Sequence, residues 1–253
     1  MSRVLVIGGT DSSGGAGIQA DLRALAHLGL DAAVVVTAVT AQTMMKVLAV
    51  HPVPRELVEA QLRAAVDEPV DAVKIGLLPS VGVVEVVGRF LEDRDVPIVA
   101  DPVRHASSGS ALAEGTDDDW RRLVLPHATV VTPNAPELAD LTGAPVEDLD
   151  GLRRAAVALA VEGPAWVLAT GGHLDTAAAV DLLTDGRQTS ELTGPRVDLE
   201  VRGTGCTLAS LLAACLATQE DVPKAAQAAK RHLAAMFETA VVTQSGLGRF
   251  SLP

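Results

Sequence analysis

Gly203-Thr204-Gly205-Cys206 is the segment of this 253-residue chain whose residue types point most directly to chemistry. Its two glycines let the backbone approach a ligand closely, and a predicted helix follows it. Because the first N–H groups of a helix bind anions, the segment is a candidate phosphate site. A helix N-terminus also lowers the pKa of a thiol, so we expect Cys206 to be reactive. The alternative is a small buried side chain, which is how we interpret Cys215.

A glycine-rich loop at residues 8–17 follows the first predicted strand. Glycine tolerates positive φ and leaves room for a ligand, so we interpret the segment as a ligand loop. It lacks the Lys-Ser/Thr of a P-loop, and its glycine spacing does not match the dinucleotide fingerprint. A flexible turn from strand to helix is the alternative.

Polar residues follow three further predicted strands. Asp101-Pro102-Val103 offers a carboxylate for Mg²⁺ or a substrate hydroxyl, although Asp-Pro also favours an ordinary turn. Asn134 and Glu137 are spaced as a capping pair that opens a helix, and Glu137 can in addition lie near a metal-bound phosphate. Thr170-Gly171-Gly172-His173 suits contact with a nucleotide phosphate and equally suits a plain turn.

These loops need a scaffold, and short apolar runs alternate with helical patterns along the chain. The Val-rich runs are typical of strands covered on both faces; they are residues 4–8, 33–37, 72–75, 98–100, 129–131, 166–169 and 180–183. The predicted helices are residues 18–28, 55–66, 81–91, 152–161, 207–217 and 222–239. In the first helix we place Ile18, Leu22 and Leu25 on one face. The alternation predicts one domain over residues 1–253, with a parallel sheet between helices and ligands at the carboxyl ends of the strands.

Composition restricts the core and the partners. Aromatic residues make up 2% of the chain and Tyr is absent, so we expect a core of Ala, Val and Leu. The net charge of −12 argues against nucleic acid, whose phosphates require a basic surface. The acidic runs at residues 114–119 and 147–150 are interpreted as solvated loops.

We expect a cytoplasmic protein that does not bind a membrane. No apolar run reaches the roughly 20 residues of a transmembrane helix, and the first predicted strand begins without a charged leader. Cys206 and Cys215 would lie on opposite faces of one helix, about 13.5 Å apart along its axis, so they cannot form a disulfide.

Taken together, the loops resemble the hydroxymethylpyrimidine/phosphomethylpyrimidine kinase family of thiamine biosynthesis, a ribokinase-like group. The matching segments occur in family order over nearly the whole chain: Gly9-Thr10-Asp11-Ser12-Ser13-Gly14-Gly15-Ala16-Gly17-Ile18-Gln19-Ala20-Asp21-Leu22, Thr37-Ala38-Val39-Thr40-Ala41-Gln42, Lys74-Ile75-Gly76-Leu77-Leu78, Asp101-Pro102-Val103, Thr132-Pro133-Asn134-Ala135-Pro136-Glu137, Gly171-Gly172-His173 and Gly203-Thr204-Gly205-Cys206-Thr207-Leu208. The resemblance implies a ribokinase-like α/β fold, a three-layer α/β/α sandwich with a mostly parallel central sheet. It also implies ATP-dependent phosphorylation of 4-amino-5-hydroxymethyl-2-methylpyrimidine, its monophosphate or both, with Mg²⁺.

The resemblance implies a substrate site at the first loop. The pyrimidine would lie near Asp11 and the backbone of Ala16. The Gln42 amide would bind the ring nitrogen and the amino group, since an amide both donates and accepts. Leu77 and Val103 would wall the ring.

A nucleotide and metal site follows from the same resemblance. Asp101 and Glu137 would hold Mg²⁺ and, with Asn134, organise the ATP phosphates. Thr170 and Gly172 would lie close to those phosphates.

The resemblance makes Gly203, Thr204, Gly205 and Cys206 the catalytic anion hole for the transferring phosphoryl group. Cys206 stands where sugar kinases of this fold carry an aspartate base. Since phosphoryl transfer depends mainly on positioning and charge stabilisation, a weaker base is sufficient there.

The chain departs from the family pattern beside both ligands. Arg202 stands where the family usually has His, and Ser107-Ser108-Gly109 lacks the usual lysine. Thr43-Met44 replaces Asn-Thr, and Met45 follows. Two alternatives stay open: a pyridoxal kinase-like enzyme, and a catalytically weak protein that binds a thiamine precursor. We also expect a homo-oligomer, a dimer.

Overall fold

The computed structural model describes residues 1–106, 109–113, 116–172, 174, 178–218 and 221–251. Ser107, Ser108 and His173, named above, lie outside these ranges. The strands are β1 (Arg3–Asp11), β2 (Asp31–Gln42), β3 (Val47–Pro52), β4 (Ala72–Ile75), β5 (Ile98–Ala100), β6 (Val130–Val131), β7 (Trp166–Thr170), β8 (Ala179–Thr184), β9 (Thr189–Gly194), β10 (Val241–Val242) and β11 (Gly248–Arg249). The helices are α1 (Gly17–His27), α2 (Arg55–Ala65), α3 (Val81–Glu92), α4 (Asp117–Leu123), α5 (Ala135–Thr142), α6 (Leu149–Glu162), α7 (Thr204–Ala217) and α8 (Val222–Glu238), with a 3₁₀ turn at Leu125–His127. In these ranges no helix combines the length and the apolarity needed to cross a bilayer.

The first nine strands form one sheet in the order β3-β2-β1-β4-β5-β6-β7-β8-β9. The strands from β2 to β7 in this order pair in parallel, while β3 at one edge and β8 and β9 at the other pair antiparallel. The sheet is therefore mostly parallel, and it places the carboxyl ends of its parallel strands along one edge. This continuous sheet is consistent with one domain over residues 1–253, which stays a prediction.

Helices cover both faces of the sheet. The helices from α2 to α6 pack on one face around Leu5, Ile75 and Val131. On the other face α1, α7 and α8 pack around Val4 and Val6. Both cores consist mainly of Ala, Val and Leu, as composition predicts. Because each fully buried Val or Leu contributes about 1.5–3 kcal/mol, these two layers hold the sheet between them and complete the three-layer sandwich.

Two strands of the nine-stranded sheet, β3 and β9, were not predicted because they lie at its edges, and the short pair β10 and β11 was not predicted either. Most of β3 is exposed, and β9 reads Thr-Ser-Glu-Leu-Thr-Gly, which is polar. The prediction searched for continuous apolar runs, which belong to strands covered on both faces. Edge strands face water on one side and do not need such runs.

The interpretation of the acidic runs as loops is wrong in part, because both runs lead into helices. Asp117, Asp118 and Asp119 form the first turn of α4, where the helix dipole favours carboxylates. Asp148 caps α6, and its carboxylate accepts the Gly151 N–H at 2.7 Å.

One side of α1 also differs from the prediction. Ile18 and Leu25 are buried, but Leu22 is 39% exposed. The buried face is rotated toward Asp21, which is 1% exposed although it is charged. A helix therefore carries a carboxylate into the core, and that carboxylate requires a partner.

Gly88 and Gly82 provide a matched test of the packing between α3 and α4. A Cβ atom at Gly88 would lie 2.8 Å from Leu123 Cβ and 2.9 Å from Leu123 O, whereas at Gly82 its nearest neighbour is Arg55 Cδ at 3.4 Å. Both Gly→Ala changes gain up to about 1 kcal/mol of helix propensity. We expect Gly88→Ala nevertheless to lower Tm by several degrees, at about 2–4 °C per kcal/mol, because of the clash. Gly82→Ala should keep or raise Tm in calorimetry; an equal Tm for the two variants would contradict this packing.

Candidate active site

The carboxyl ends of the parallel strands open into one cavity of about 1530 Å³. Every residue with an expected role lines it: Asp11, Ala16, Gln42, Leu77, Asp101, Val103, Asn134, Glu137, Thr170, Gly172, Gly203, Thr204, Gly205 and Cys206. Gln42 ends β2 and Thr170 ends β7. These strands are five positions apart in the sheet, or roughly 24 Å at about 4.8 Å per strand. The cavity is therefore long enough for two ligands side by side.

Asp11, at the end of β1, holds the first loop together. Its carboxylate accepts the N–H groups of Ser13 and Ala16, each at 2.8 Å. Gly17 has φ of 59°, and a Cβ atom there would lie 2.4 Å from Gly9 O. The loop is therefore a tightly built turn, and the Ala16 N–H is engaged within the protein.

The Gln42 side chain is fixed from two sides. Its Nε2 donates to Thr40 Oγ1 at 2.8 Å, and its Oε1 accepts from Arg202 Nη2 at 2.9 Å. Its backbone N–H donates to Ser12 Oγ at 2.8 Å, which joins β2 to the first loop. The amide therefore has a set orientation where it meets the cavity.

Leu77 and Val103 form an apolar wall, one after β4 and the other after β5. The Leu77 carbonyl accepts the Thr37 hydroxyl at 2.5 Å. A Cβ atom on Gly9 would lie 2.9 Å from Leu77 Cδ2, so this glycine makes room for the wall. The Val103 N–H donates to Asp101 O at 2.8 Å, which confirms a turn at Asp-Pro.

The N-terminus of α7 opens onto the same cavity. Gly203 caps the helix at φ of 74°, and a Cβ atom there would lie 2.3 Å from Gly15 O, so glycine is required. The first helical N–H groups, at Thr204, Gly205 and Cys206, have no intrahelical carbonyl to bind. Such N–H groups and the helix dipole favour an anion, and the anion site expected from the sequence stays a prediction.

A buried ion pair lies beside this helix end. Lys74, on β4, is 1% exposed, and its Nζ lies 2.9 Å from Asp21 Oδ1 and 3.7 Å from Asp101 Oδ2. Ser210, on α7, donates to Asp21 Oδ1 at 2.8 Å. Burial alone would lower the pKa of Lys74, but the Asp21 and Asp101 carboxylates outweigh it and raise that pKa. Lys74 therefore stays a cation, although it is buried.

The structure contradicts the expectation of a reactive Cys206. Desolvation raises the pKa of the Cys206 thiol well above its usual value, and it outweighs the nearby Lys74 cation, which acts in the opposite direction. The Asp101 and Asp21 carboxylates raise the pKa further. The thiol therefore keeps its proton. Position at a helix end thus does not make this thiol acidic, because burial and two acids dominate.

Asn134 and Glu137 form the predicted capping box of α5. The Asn134 side chain accepts the Glu137 N–H at 2.9 Å, and the Glu137 carboxylate accepts the Asn134 N–H at 3.0 Å. Desolvation, with the nearby Asp101 carboxylate, raises the pKa of Glu137 to about 8. Desolvation likewise raises the pKa of Asp101. A cation would be favourable beside these two buried acids, since burial raises the pKa of both and Asp101 raises that of Glu137 further.

The donor set at Asp101 and Glu137 fits Mg²⁺. Asp101 Oδ2 is a buried oxygen with no hydrogen-bond partner within the described ranges. Those ranges contain no cluster of three or more acidic, His or Cys ligands. One or two carboxylates completed by water and substrate phosphates are the usual environment of Mg²⁺ in kinases. A protein-only metal cage is not required for this ion.

The far end of the cavity lies at β7 and β8. Thr170 ends β7, and a Cβ atom on Gly171 would lie 2.2 Å from Val180 O, so glycine is needed for the turn. The Gly171 N–H donates to Asp181 Oδ1 at 3.1 Å, and Lys230 on α8 donates to Asp181 Oδ2 at 2.6 Å. This end is thus fixed by a lysine-carboxylate pair from two elements.

Sequence reasoning gave no role to Lys74 or Asp21, although both lie in matched segments. A signal was present: Lys74 is a lone charge in a covered strand, and Asp21 lies on the inward face of α1. Each charge would be costly alone, which predicts that they pair. The α8 residues Gln227, Lys230 and Arg231 also line the cavity, and no motif marked them.

Glu137 provides a pH test in metal-free protein. The pKa of the Glu137 carboxyl rises on folding from about 4.3 to about 8. The folded protein therefore becomes less stable as the pH increases through this window. Glu137→Gln keeps the oxygen that caps α5 and carries no charge. We therefore expect it to raise Tm by several degrees at about pH 9 and to change it little at about pH 5. Glu92→Gln, at an exposed site, is the control; equal effects of Glu137→Gln at both pH values would show the carboxyl to be unperturbed.

Comparison with known proteins agrees with this geometry. The family described as phosphomethylpyrimidine kinase matches residues 11–251. A hydroxymethylpyrimidine/phosphomethylpyrimidine kinase of Streptomyces coelicolor is 46% identical over 248 residues, which are 97% of this chain and 92% of that protein. A chloroplastic thiamine biosynthetic bifunctional enzyme of Arabidopsis thaliana is 41% identical over 97% of this chain and 48% of its own length.

The solved structures agree as well. Bacillus subtilis pyridoxal kinase, solved as an ADP complex, superposes with a TM-score of 0.92 at 30% identity over 100% of this chain and 97% of that chain. The ribokinase-like fold and the family resemblance are therefore confirmed. The match of the family model to residues 11–251 and the 46% identity to the Streptomyces kinase show that the chain belongs to the phosphomethylpyrimidine kinase family and is a phosphotransferase.

Proposed function

We propose that the protein uses ATP to phosphorylate 4-amino-5-hydroxymethyl-2-methylpyrimidine, its monophosphate or both, in thiamine biosynthesis or salvage. The observation that carries this proposal is that Gln42 and the N-terminus of α7 face one cavity. The first can recognise an aminopyrimidine and the second a phosphoryl group. The names of the Streptomyces and Arabidopsis relatives, a hydroxymethylpyrimidine/phosphomethylpyrimidine kinase and a thiamine biosynthetic enzyme, support the same assignment.

The anion hole is the central element of this proposal. The N–H groups of Thr204, Gly205 and Cys206 would donate to the oxygens of the transferring phosphoryl group. The positive end of the α7 dipole favours the charge that spreads over those oxygens. Lys74 adds a fixed cation behind the helix end, and it requires no movement during the reaction.

Cys206 acts in this scheme by orienting the attacking hydroxyl. The sulfur of the protonated thiol is a weak acceptor, and it would accept a hydrogen bond from the substrate hydroxyl. Because its raised pKa keeps the thiol protonated, Cys206 offers only a weakly basic neutral sulfur and no thiolate base. That is sufficient in a loose transition state, where the hydroxyl loses its proton late.

ATP and Mg²⁺ would occupy the cavity between α7 and β7. Asp101 and Glu137 would hold the ion, which when bound neutralises charge on the phosphate oxygens. Asn134, Thr170 and Gly172 would face the phosphates. Among the residues that the structure describes, a Cβ atom on Gly172 would meet nothing within 4 Å.

A pyridoxal kinase-like activity is the second candidate. Its support is the superposition on Bacillus subtilis pyridoxal kinase. The third reading, a catalytically weak binding protein, rests on the replacement of the family His by Arg202. Turnover measured on several substrates distinguishes these two candidates from the proposed pyrimidine kinase.

The homodimer stays a prediction. Its support is an apolar area at the sheet edge, where Val39, Met45 and Leu48 are between 52% and 67% exposed. These side chains lie on β2, on β3 and on the turn between them. A second copy of the chain would remove them from water.

A substrate panel tests the proposed function. With Mg-ATP, we expect ADP release with the pyrimidine and a kcat/KM at least about tenfold above that for pyridoxal. A preference for pyridoxal would favour the second candidate. Tight pyrimidine binding in calorimetry without ADP release would favour the binding protein. The absence of both binding and turnover would exclude all three candidates.

Cys206→Ala separates catalysis from binding. We expect kcat to fall about a hundredfold while the Kd of the pyrimidine changes less than about threefold, since the thiol orients the hydroxyl and does not read the ring. Cys215→Ala, nine residues along the same helix, is the control and should keep kcat. An unchanged kcat in Cys206→Ala would exclude a role for the thiol.

A further inference from the structure

Arg202 is a buried arginine that contacts the residue expected to read the substrate ring. It is 3% exposed. Its Nη2 donates to Gln42 Oε1 at 2.9 Å, and its Nη1 donates to Met44 O at 3.1 Å. Its Nη2 also lies 3.9 Å from Asp11 Oδ2. The guanidinium is therefore built into the substrate end of the cavity.

Hydrogen-bond chemistry alone fixes which amide atom faces Arg202. A guanidinium has five N–H donors and no acceptor, so the Gln42 atom beside it must be the oxygen. At the other end, Thr40 Oγ1 donates its one hydrogen to Thr10 O at 2.7 Å. Its lone pairs are left to accept, and Gln42 Nε2 donates to them at 2.8 Å. The two neighbours therefore impose the same orientation on the amide.

A reversed amide would lose both contacts. The –NH₂ group would face the guanidinium, donor against donor, and the oxygen would face Thr40 Oγ1, whose proton is already directed to Thr10. Leaving buried polar groups unsatisfied in this way is costly. Gln42 is thus held in one of its two orientations, and Arg202 is the stronger of the two constraints because its donors are charged.

The locked amide offers one free lone pair and one free N–H in a fixed order. An amide oxygen has two lone pairs and an –NH₂ group has two hydrogens, and one of each is taken by Arg202 and Thr40. In the aminopyrimidine, the carbon beside the hydroxymethyl-bearing carbon carries an amino donor, and the next ring atom is an acceptor nitrogen. In pyridoxal with its ring hydroxyl protonated, the corresponding positions carry an aldehyde acceptor and then a hydroxyl donor. The two rings present opposite orders.

We propose that Arg202 is a specificity-determining residue that, with Thr40, locks the Gln42 amide in the order that accepts the aminopyrimidine and rejects pyridoxal. It acts through Gln42 and is a positioning residue. The inference rests on the proposed pyrimidine kinase function. It also gives a role to the position at which the chain departs from its family, where a neutral His would accept as well as donate.

The test is the ratio of kcat/KM for the pyrimidine to that for pyridoxal. We expect Arg202→Met to lower this ratio about ten- to hundredfold, with KM for the pyrimidine increasing and KM for pyridoxal decreasing as the amide becomes free to flip. Arg202→Lys, a donor-only side chain, should restore part of the ratio. A loss of structure alone would lower both activities together and leave the ratio unchanged.

Thr40→Val provides a second test variant, and Arg23→Met provides a control. Thr40→Val releases the other end of the amide and should shift the ratio in the same direction, which keeps the test available if Arg202→Met folds poorly. Arg23 is buried next to the first loop and donates to Gly14 O, so Arg23→Met is a control that should leave the ratio unchanged.

The ratio of the Kd for the pyrimidine to the Kd for pyridoxal, measured by calorimetry on the same variants, tests the fixed orientation of the Gln42 amide without requiring turnover. If the wild type binds the pyrimidine but forms no ADP, the proposed function fails while the lock is still tested by binding. A ratio that Arg202→Met and Thr40→Val both leave unchanged would overturn the inference.

Discussion

The site depends on one buried cation. The Lys74 ammonium joins β4, which carries it, to Asp21 on α1 and Asp101 after β5, and Asp21 in turn binds Ser210 on α7. Removing one member of such a group would leave a charge buried without its partner, which typically costs about 3–5 kcal/mol. The constraint therefore fixes the helix end proposed to bind phosphate relative to the strand ends proposed to bind the metal.

The same cation also influences the pKa values of the acids around it. The Lys74 cation opposes the desolvation that raises the pKa of Asp101 and of Cys206, but it overcomes neither shift. Glu137, farther along the sheet edge, is raised to about 8. The site contains several acids whose raised pKa favours the protonated form. A divalent cation and phosphate oxygens would be favourable there, because their charges would complement one another.

The sequence predicted the covered strands and the capped helix, because each leaves a local pattern. β5 is a continuous apolar run, and β4 is apolar except for Lys74. The three-residue spacing of Asn134 and Glu137 is visible in the sequence. The rest depends on contacts between distant residues. The edge strands lack an apolar run, and the burial that decides the state of Cys206 comes from elements far apart in the chain. The partners of Arg202 lie about 160 positions away in sequence, beyond any local pattern.

The central claim is that phosphoryl transfer takes place at the N-terminus of α7, between Gln42 and the nucleotide end of the cavity. A crystal structure with the aminopyrimidine, Mg²⁺ and a non-hydrolysable ATP analogue tests it directly. We predict γ-phosphate oxygens about 2.7–3.2 Å from the N–H groups of Thr204, Gly205 and Cys206, with the pyrimidine bound by the Gln42 amide. A γ-phosphate bound away from α7, or a pyrimidine that does not contact Gln42, would contradict the account.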